Sequence, residues 1–329
     1  MATQPKLVTI FGGSGFVGRY IARRMAKAGW RVRVAVRRPN EALFVRTYGV
    51  VGQVDPVFAN IRDDASTWAA LRGADAVVNC VGTFDKWGKN NFDAVQVEAA
   101  GRIAKLATKE GVARLVHISA IGADKDADSV YQQTKAEGER AVKRGFPDAV
   151  ILRPSVIFGA EDQFFNRFAG MSKMGPVLPL VGADTKFQPV YVDDVAAAAV
   201  AGIMGAKAGT YELGGPDIAS LKELMEKMLR IIRRKRLIVN VPSFAAGIMG
   251  LGLDLLARIS MGLFTNSILT ADQVKSLAHD NVVGNRAKTF KDLKIVPTDM
   301  DAVLPEYLYT HRPQGQFTEL TESAKTLRS

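Results

Sequence analysis

The chain has 329 residues, 47% of them hydrophobic and 8% aromatic, and its 44 basic and 33 acidic residues give a net charge of +11. This length and composition exclude a disordered chain and predict a sizeable buried core. One cysteine excludes an internal disulfide framework, and three scattered histidines predict no metal site. The basic excess favours acidic partners, such as anionic lipid, nucleic acid or an acidic protein surface.

The first predicted elements are a strand, a glycine turn and a helix. Leu7–Phe11 is a short apolar run, which predicts a buried strand. Three glycines follow at three-residue spacing: Gly12, Gly15 and Gly18. Apolar side chains at four-residue spacing then predict a helix that ends near Gly29. This order suits a phosphate cradle, because the backbone of a glycine turn and the N–H groups of a helix N-terminus can approach a pyrophosphate. An ordinary tight turn is the alternative.

The second strand, predicted over Arg31–Val36, ends in two arginines, Arg37 and Arg38. An Asp or Glu at this position would accept hydrogen bonds from a ribose 2′-hydroxyl. A guanidinium instead binds a 2′-phosphate through charge-assisted bonds. The position therefore predicts NADPH or NADP rather than NAD(H), with two solvated arginines as the alternative.

Strands and helices alternate up to about residue 160. The predicted strands are Leu7–Phe11, Arg31–Val36, Val54–Phe58, Ala76–Val81, Arg114–Ser119 and Ala149–Arg153. This alternation predicts an α/β fold with a doubly wound parallel sheet over residues 1–160. Residues 161–329 are expected to form a smaller, partly helical C-terminal domain that contacts a partner or a membrane surface. Within that stretch, residues near 187–204 are expected to return to the first domain.

Four further motifs support a family resemblance: "VVNCVG" (77–82), "YQQTK" (131–135), "LRPSVIFG" (152–159) and "FQPVYVDDVA" (187–196). Together with the glycine turn, they resemble the extended and atypical short-chain dehydrogenases/reductases over residues 5–220. The resemblance implies a Rossmann-type fold that binds a nicotinamide dinucleotide. It assigns Gly12, Ser14, Gly15, Phe16 and Val17 to the pyrophosphate, Asn60 and Ile61 to the adenine, Cys80, Val81 and Gly82 to the nicotinamide ribose, and Pro154, Ser155 and Val156 to the nicotinamide ring.

The catalytic motif of this family is matched only in part. Tyr131 and Lys135 match its Tyr-x-x-x-Lys pair, in which the ammonium can lower the phenol pKa and hold the ribose. The family usually has two serines after the preceding strand, whereas this chain has Ser119 followed by Ala120. One missing donor typically costs about 10² or more in rate. Nucleotide binding is expected to persist, with Ser119, Tyr131 and Lys135 among the cofactor-binding residues. Unless Ser119 substitutes for the missing serine, no catalytic role is expected and the three residues are vestigial for catalysis.

The C-terminal half narrows the resemblance. "LTADQVKSLAHDNVV" (269–283) and "LKIVPTDMDAVLPEYLYTHRPQGQF" (293–317) resemble the NADPH-binding accessory subunits of respiratory complex I, the NADH:ubiquinone oxidoreductase. The resemblance implies a structural, stabilising subunit near the quinone-reducing region, with other subunits of the complex as partners. Because Met1 lies close to the first strand, no signal or transit peptide is expected. The expected location is therefore peripheral, on the cytoplasmic side of a bacterial inner membrane.

A long apolar segment, 242–264, follows a basic run, 230–236. Asp254 and Arg258 would each cost about 2.5 to 3.5 kcal/mol inside a bilayer, so the segment is expected to lie on a membrane surface or a partner rather than to span. A buried core helix is the alternative. The basic run suits anionic lipid headgroups, or simply a helix end that leads into a strand. The lack of interleaved aromatic residues argues against nucleic acid.

Two other functions remain open at this point. The Tyr131–Lys135 pair is also typical of a soluble NADP-dependent reductase or epimerase. The charge alone would suit a redox-sensing regulator or an RNA-binding protein of the same fold.

Overall fold

The computed structural model describes residues 5–242 and 271–317, together with residue 323. Its strands are β1 (Leu7–Phe11), β2 (Arg31–Val36), β3 (Val54–Phe58), β4 (Ala76–Asn79), β5 (Arg114–Ile118), β6 (Val150–Pro154), β7 (Ile157–Phe158), β8 (Val177–Val181), β9 (Lys186–Phe187), β10 (Val190–Tyr191), β11 (Gly209–Leu213), β12 (Ala219–Ser220) and β13 (Leu237–Val241). Its α-helices are α1 (Phe16–Lys27), α2 (Asp64–Leu71), α3 (Ala99–Glu110), α4 (Val130–Gly145), α5 (Phe165–Met171), α6 (Val192–Ile203), α7 (Leu221–Ile231), α8 (Ala271–Ser276) and α9 (Met300–Leu308). The predicted apolar helix within 242–264 lies outside the described residues, apart from Pro242.

Seven strands form one parallel sheet in the order β11-β6-β5-β4-β1-β2-β3. The chain builds outward from β1 in one direction and then, from β4, in the other. This arrangement confirms the predicted doubly wound, Rossmann-type fold. In such sheets ligands bind outside the carboxyl ends of the strands, where the strand order reverses.

Some strand boundaries differ from the prediction. β4 ends at Asn79 rather than Val81, because the chain leaves the sheet there and the Val81 N–H bonds to the Asn79 side chain at 3.1 Å. β5 ends at Ile118 rather than Ser119. The edge strand β11 was not predicted, and it pairs in parallel with β6.

Helices cover both faces of the sheet. On one face, α2, α3 and α4 pack against the strands through an apolar core that includes Phe11, Val77, Leu115, Ile103 and Val142. All five side chains are almost fully buried. Burial of one such side chain stabilises the fold by about 1.5 to 3 kcal/mol.

On the other face, α1 and α6 lie side by side against the sheet. The close approach of α6 depends on Gly202, because a Cβ at this position would lie 2.8 Å from Val116 Cγ2. Arg24 of α1 makes a bidentate ion pair with Asp193 of α6, with both N–O distances at 2.7 Å. Residues 192–203 are thus held against the sheet and α1 by close packing at Gly202 and by the ion pair of Asp193.

The described chain divides into two compact units. The first contains residues 5–155, 192–214 and 283–297, and the second contains residues 156–191, 215–242, 271–282 and 298–317. The first unit holds the seven-stranded sheet. In the second unit, the short strand pairs β7–β10, β9–β12 and β8–β13 surround an apolar core.

Helix α7 is well specified in the second unit. Ser220 and Glu223 form a capping box, in which each side chain bonds to the backbone N–H of the other. Leu224, Met225 and Met228 are fully buried in the core of this unit. Among the described residues, no helix is both long enough and apolar enough to cross a membrane.

The basic run 230–236 connects the end of α7 to β13. Arg234 Nε donates to His311 O at 3.0 Å, and Arg236 Nε donates to Ser172 O at 2.7 Å. Two of its five cations therefore hold backbone carbonyls of the second unit. Arg233 and Lys235 are exposed.

Candidate functional site

The glycine turn after β1 forms a cradle that only glycine allows. Gly12 has φ +75° and donates its N–H to Ala35 O at 3.0 Å, which ties the turn to β2. A Cβ on Gly18 would lie 2.3 Å from Gly12 O. Helix α1 therefore begins directly against the turn, and the predicted pyrophosphate residues Ser14, Gly15, Phe16 and Val17 form the turn and the helix start.

The N-terminus of α1 has the features that an anion needs. Gly15 is the N-cap and supplies no side-chain hydrogen bond, and the first turn of the helix has no acidic residue. The orphan N–H groups and the positive end of the helix dipole therefore attract a phosphate. A diphosphate fits this cradle.

Arg37 and Arg38 follow β2 and are both exposed. Arg38 pairs with Glu41 at 3.0 Å. Within the described part of the chain, Arg37 makes no hydrogen bond or ion pair. The structure thus places a guanidinium, and no carboxylate, directly after β2.

The predicted adenine residues, Asn60 and Ile61, lie in the turn between β3 and α2. Asn60 donates its N–H to Ser66 Oγ at 2.8 Å, and Ile61 O accepts from Arg102 Nη1 at 3.0 Å. These bonds hold the turn at the carboxyl end of β3.

The loop after β4 contains Cys80, Val81 and Gly82. Cys80 donates its N–H to Phe11 O at 2.9 Å, so the loop starts against β1. Burial raises the pKa of the Cys80 thiol to about 12, although the nearby Lys135 opposes this shift. The thiol is therefore protonated at physiological pH.

A buried polar pair, Asn79 and His117, lies beneath this loop. Asn79 Nδ2 and His117 Nδ1 are 3.2 Å apart, and each side chain is at most 2% exposed. Burial, together with the smaller effect of the Lys135 charge, lowers the pKa of His117 to about 3. The imidazole is therefore neutral above that pH.

Tyr131 lies between two other aromatic rings. Phe84 stacks on it at 5.2 Å between ring centroids, and Phe92 meets it edge-on at 5.9 Å. Lys135 Nζ is 5.8 Å from the centre of the Tyr131 ring. The expectation that Lys135 lowers the phenol pKa is wrong for this structure, because burial dominates and raises the pKa of Tyr131 to about 12.

The hydroxyl of Ser119 donates to a buried carboxylate. Its Oγ donates to Glu139 Oε1 at 2.6 Å, and both side chains are buried. Arg153 holds the same carboxylate through Nε at 2.7 Å and Nη2 at 2.8 Å. Neither Glu139 nor Arg153 is predicted from the sequence as a site residue, where the only signal is that Glu139 stands four residues after Lys135.

The predicted nicotinamide stretch continues β6. Pro154 ends the strand, and Ser155 donates its N–H to Leu213 O at 2.9 Å. Val156 begins the second unit, where its carbonyl accepts from Val190 N–H at 2.9 Å. In the described residues, no group of His, Cys, Asp and Glu side chains could hold a metal ion.

Known proteins that resemble this chain include nucleotide-dependent enzymes and a respiratory-complex subunit. Residues 8–214 match a family described as "NAD dependent epimerase/dehydratase family". "NADH dehydrogenase [ubiquinone] 1 alpha subcomplex subunit 9, mitochondrial" of Arabidopsis thaliana is 34% identical over 326 residues, which cover 97% of this chain and 81% of that protein. "Ceramide reductase" of Caulobacter vibrioides is 29% identical over 245 residues, which cover 74% of this chain and 76% of that protein. The solved structure of DesIV, a dTDP-glucose 4,6-dehydratase from Streptomyces venezuelae with NAD and TYD bound, has a TM-score of 0.62 at 22% identity, over 72% of this chain and 84% of that chain.

Proposed function

Because the chain belongs to the NAD dependent epimerase/dehydratase family, we propose that it binds a nicotinamide dinucleotide at the carboxyl edge of the seven-stranded sheet. The glycine cradle supports this proposal, since a Cβ at Gly18 would fill it. The guanidinium of Arg37 at the end of β2 supports NADPH or NADP as the preferred nucleotide. When bound, such a nucleotide supplies hydride chemistry.

The bound nucleotide is, in this proposal, a structural ligand of an accessory subunit of respiratory complex I. The observation that carries the non-catalytic role is the commitment of the Ser119 hydroxyl to Glu139 at 2.6 Å. Ala120 stands where the family usually has its second serine, so the chain lacks that hydroxyl. The subunit role is supported by the Arabidopsis relative, whose likeness extends over 97% of this chain and so includes the second unit.

The proposed location is peripheral, on the cytoplasmic side of a bacterial inner membrane, near the quinone-reducing region. In the second unit, Leu237 is 65% exposed and Val239 is 39% exposed on β13, directly after the basic run. Exposed apolar side chains beside cations suit anionic lipid headgroups, at about 1 kcal/mol per charge.

A soluble NADP-dependent reductase is the second candidate. The likeness to ceramide reductase and the retained Tyr131–Lys135 pair favour it. A subunit and a soluble reductase differ in their protein partners and in whether they turn over a substrate. One purified preparation can therefore distinguish the two functions.

The test is to purify the tagged full-length chain from solubilised membranes of its source. A native gel then shows whether it migrates with an NADH-oxidising respiratory complex, and extraction with chromatography identifies the released nucleotide. We expect comigration and one NADPH or NADP per chain. A chain that migrates alone and reduces a carbonyl substrate with NADPH would contradict the subunit role.

A further inference from the structure

Helix α4 carries three polar side chains on one face: Tyr131, Lys135 and Glu139. Their four-residue spacing places them one helical turn apart. The first two belong to the proposed nucleotide site, but Glu139 has no place in it. Its side chain is only 4% exposed. A carboxylate buried to this extent is costly unless it is paired and hydrogen-bonded.

The partners of Glu139 come from neighbouring strands of the sheet. Ser119, directly after β5, donates at 2.6 Å, and Arg153 of β6 makes the bidentate pair. Arg153 Nη1 also lies 3.4 Å from Glu212 Oε1 of β11, whose other oxygen accepts from Gly284 N–H at 2.8 Å. One carboxylate thus ties α4 directly to β5 and β6, and through Arg153 to β11.

Lys135 is held at the same strand end. Its Nζ donates to Ile118 O at 3.4 Å, and Ile118 directly precedes Ser119. Two side chains one turn apart on α4 therefore contact two consecutive residues of the chain. This double contact determines the register of the helix on the sheet and hence the position of the ammonium.

We propose that Glu139 is a positioning residue for the nucleotide: it holds α4 in register on β5 and β6 and keeps the Lys135 ammonium charged for the ribose hydroxyls. This inference rests on the proposed nucleotide binding. Glu139 acts on the nucleotide only through Lys135.

Electrostatics support the same role. Burial lowers the pKa of Lys135 to about 8, while the negative charge of Glu139 opposes this shift and Cys80 opposes it less. Loss of the Glu139 charge therefore lowers the lysine pKa further. An ammonium can donate to ribose hydroxyls and carries the attractive charge, so affinity is highest below the lysine pKa and falls as the pH rises through it.

The other titratable groups around Lys135 stay uncharged near neutral pH. His117 on β5 has its pKa lowered to about 3, and Cys80 and Tyr131 have theirs raised to about 12. The turn before α3 packs an uncharged side chain, Gln96, against Thr134 of α4. Between pH 7 and 10, Lys135 is thus the group in this set that changes charge.

The test is a titration of NADPH affinity from pH 7 to 10, monitored by nucleotide fluorescence. For the unmodified chain, we expect the affinity to fall with a midpoint near the lysine pKa. Glu139→Gln should move the midpoint down by about one pH unit. Because Lys135 is then mostly neutral at pH 8 and its charge-assisted bond to the ribose is lost, NADPH binding should weaken about tenfold at that pH. Glu137→Gln is the matched control, since Glu137 lies on the same helix but is exposed. It should follow the unmodified chain.

Glu139→Gln removes the bidentate carboxylate partner of Arg153 and leaves it only the longer contact with Glu212, which can unfold the chain. The double variant Glu139→Met with Arg153→Met removes both charges and serves as the second probe. An unchanged midpoint in a folded variant that lacks Glu139 would overturn the inference and leave the proposed function standing. If the unmodified chain itself fails to bind NADPH, the proposed function fails, and this inference with it.

Discussion

At the scale of single residues, Tyr131 belongs to a retained Tyr-x-x-x-Lys pair but lies buried among aromatic rings. The ring stacks against Phe84, and burial raises the phenol pKa to about 12. The hydroxyl of Ser119, directly after β5, donates a hydrogen bond to Glu139. These contacts favour a side chain kept for packing and ribose binding.

Tyr131→Phe tests this interpretation, because it removes the hydroxyl and keeps the ring. We expect the nucleotide content, the assembly of the respiratory complex and nearly all of its NADH:ubiquinone activity to persist. A reductase would lose most of its turnover, since its proton donor is gone. Loss of the activity of the complex with normal assembly and nucleotide content would contradict the structural role.

Arg37→Asp tests the choice of nucleotide. A carboxylate repels a 2′-phosphate and accepts from a 2′-hydroxyl, so we expect NADPH affinity to fall by about tenfold or more and NADH affinity to rise. Isothermal titration with both nucleotides measures the ratio. Arg23→Asp, an exposed position on α1, is the control for net charge. Equal affinity of the unmodified chain for the two nucleotides would show that Arg37 does not select between them.

His117 makes stability depend on pH. Its folded-state pKa of about 3 lies below the ordinary value of 6.5, so the unfolded chain binds the proton first as the pH falls. The free energy of unfolding should therefore decrease by about 1.4 kcal/mol per pH unit below 6.5, or about 2 kcal/mol between pH 7 and 5. Urea unfolding at both pH values should show this loss, and His117→Gln should remove it. His279→Gln, at an exposed position, should keep it.

At the scale of elements, the contact between the glycine turn and α1 determines the shape of the cradle. Gly18→Ala would place a Cβ 2.3 Å from Gly12 O and 2.7 Å from Gly13 Cα, so the helix must move away. We expect a loss of about 1 to 3 kcal/mol in the free energy of unfolding and much weaker nucleotide binding. Denaturant unfolding and nucleotide titration measure the two effects.

Gly170→Ala is the matched control for that change. Gly170 lies in helix α5, and a Cβ there meets no heavy atom within 4 Å. Since Ala is the better helix former, this variant should gain about 0.5 to 1 kcal/mol and leave nucleotide binding unchanged. Comparable losses in both variants would show that the close approach at Gly18 is not what the cradle requires.

At the scale of the whole molecule, a structural nucleotide should stabilise the folded chain by mass action. A ligand at one hundred times its Kd adds about 2.7 kcal/mol. Gly15→Asp places a carboxylate at the N-cap of α1, where it repels a diphosphate. We expect this variant to lose the NADPH-dependent rise in Tm and to assemble poorly into the respiratory complex.

The control for Gly15→Asp is the unmodified chain from which the nucleotide has been removed. Thermal unfolding of the two proteins without NADPH should then be similar, so that the difference appears only with nucleotide present. Normal assembly and normal thermal stability of a Gly15→Asp chain with an empty site would argue against a structural cofactor.

The sequence by itself determined the doubly wound sheet and the glycine cradle, because both depend on local patterns. Strand β1, the three glycines and the start of α1 follow one another without interruption, and their spacing alone specifies a turn that a diphosphate fits. The exposed guanidinium of Arg37 is likewise set by its place directly after a strand.

Only the tertiary structure decided what surrounds Tyr131 and Ser119. Ser119 and Glu139 are 20 residues apart in sequence, and Arg153 is 14 residues from Glu139. No local spacing in the sequence predicts these contacts of Glu139, since they form only where α4 packs at the ends of β5 and β6. The edge strand β11 was not predicted for the same reason. It is defined by its pairing with β6, whose residues lie 59 positions earlier in the chain. Burial, which raises the phenol pKa and lowers the lysine pKa, exists only once these distant elements have packed.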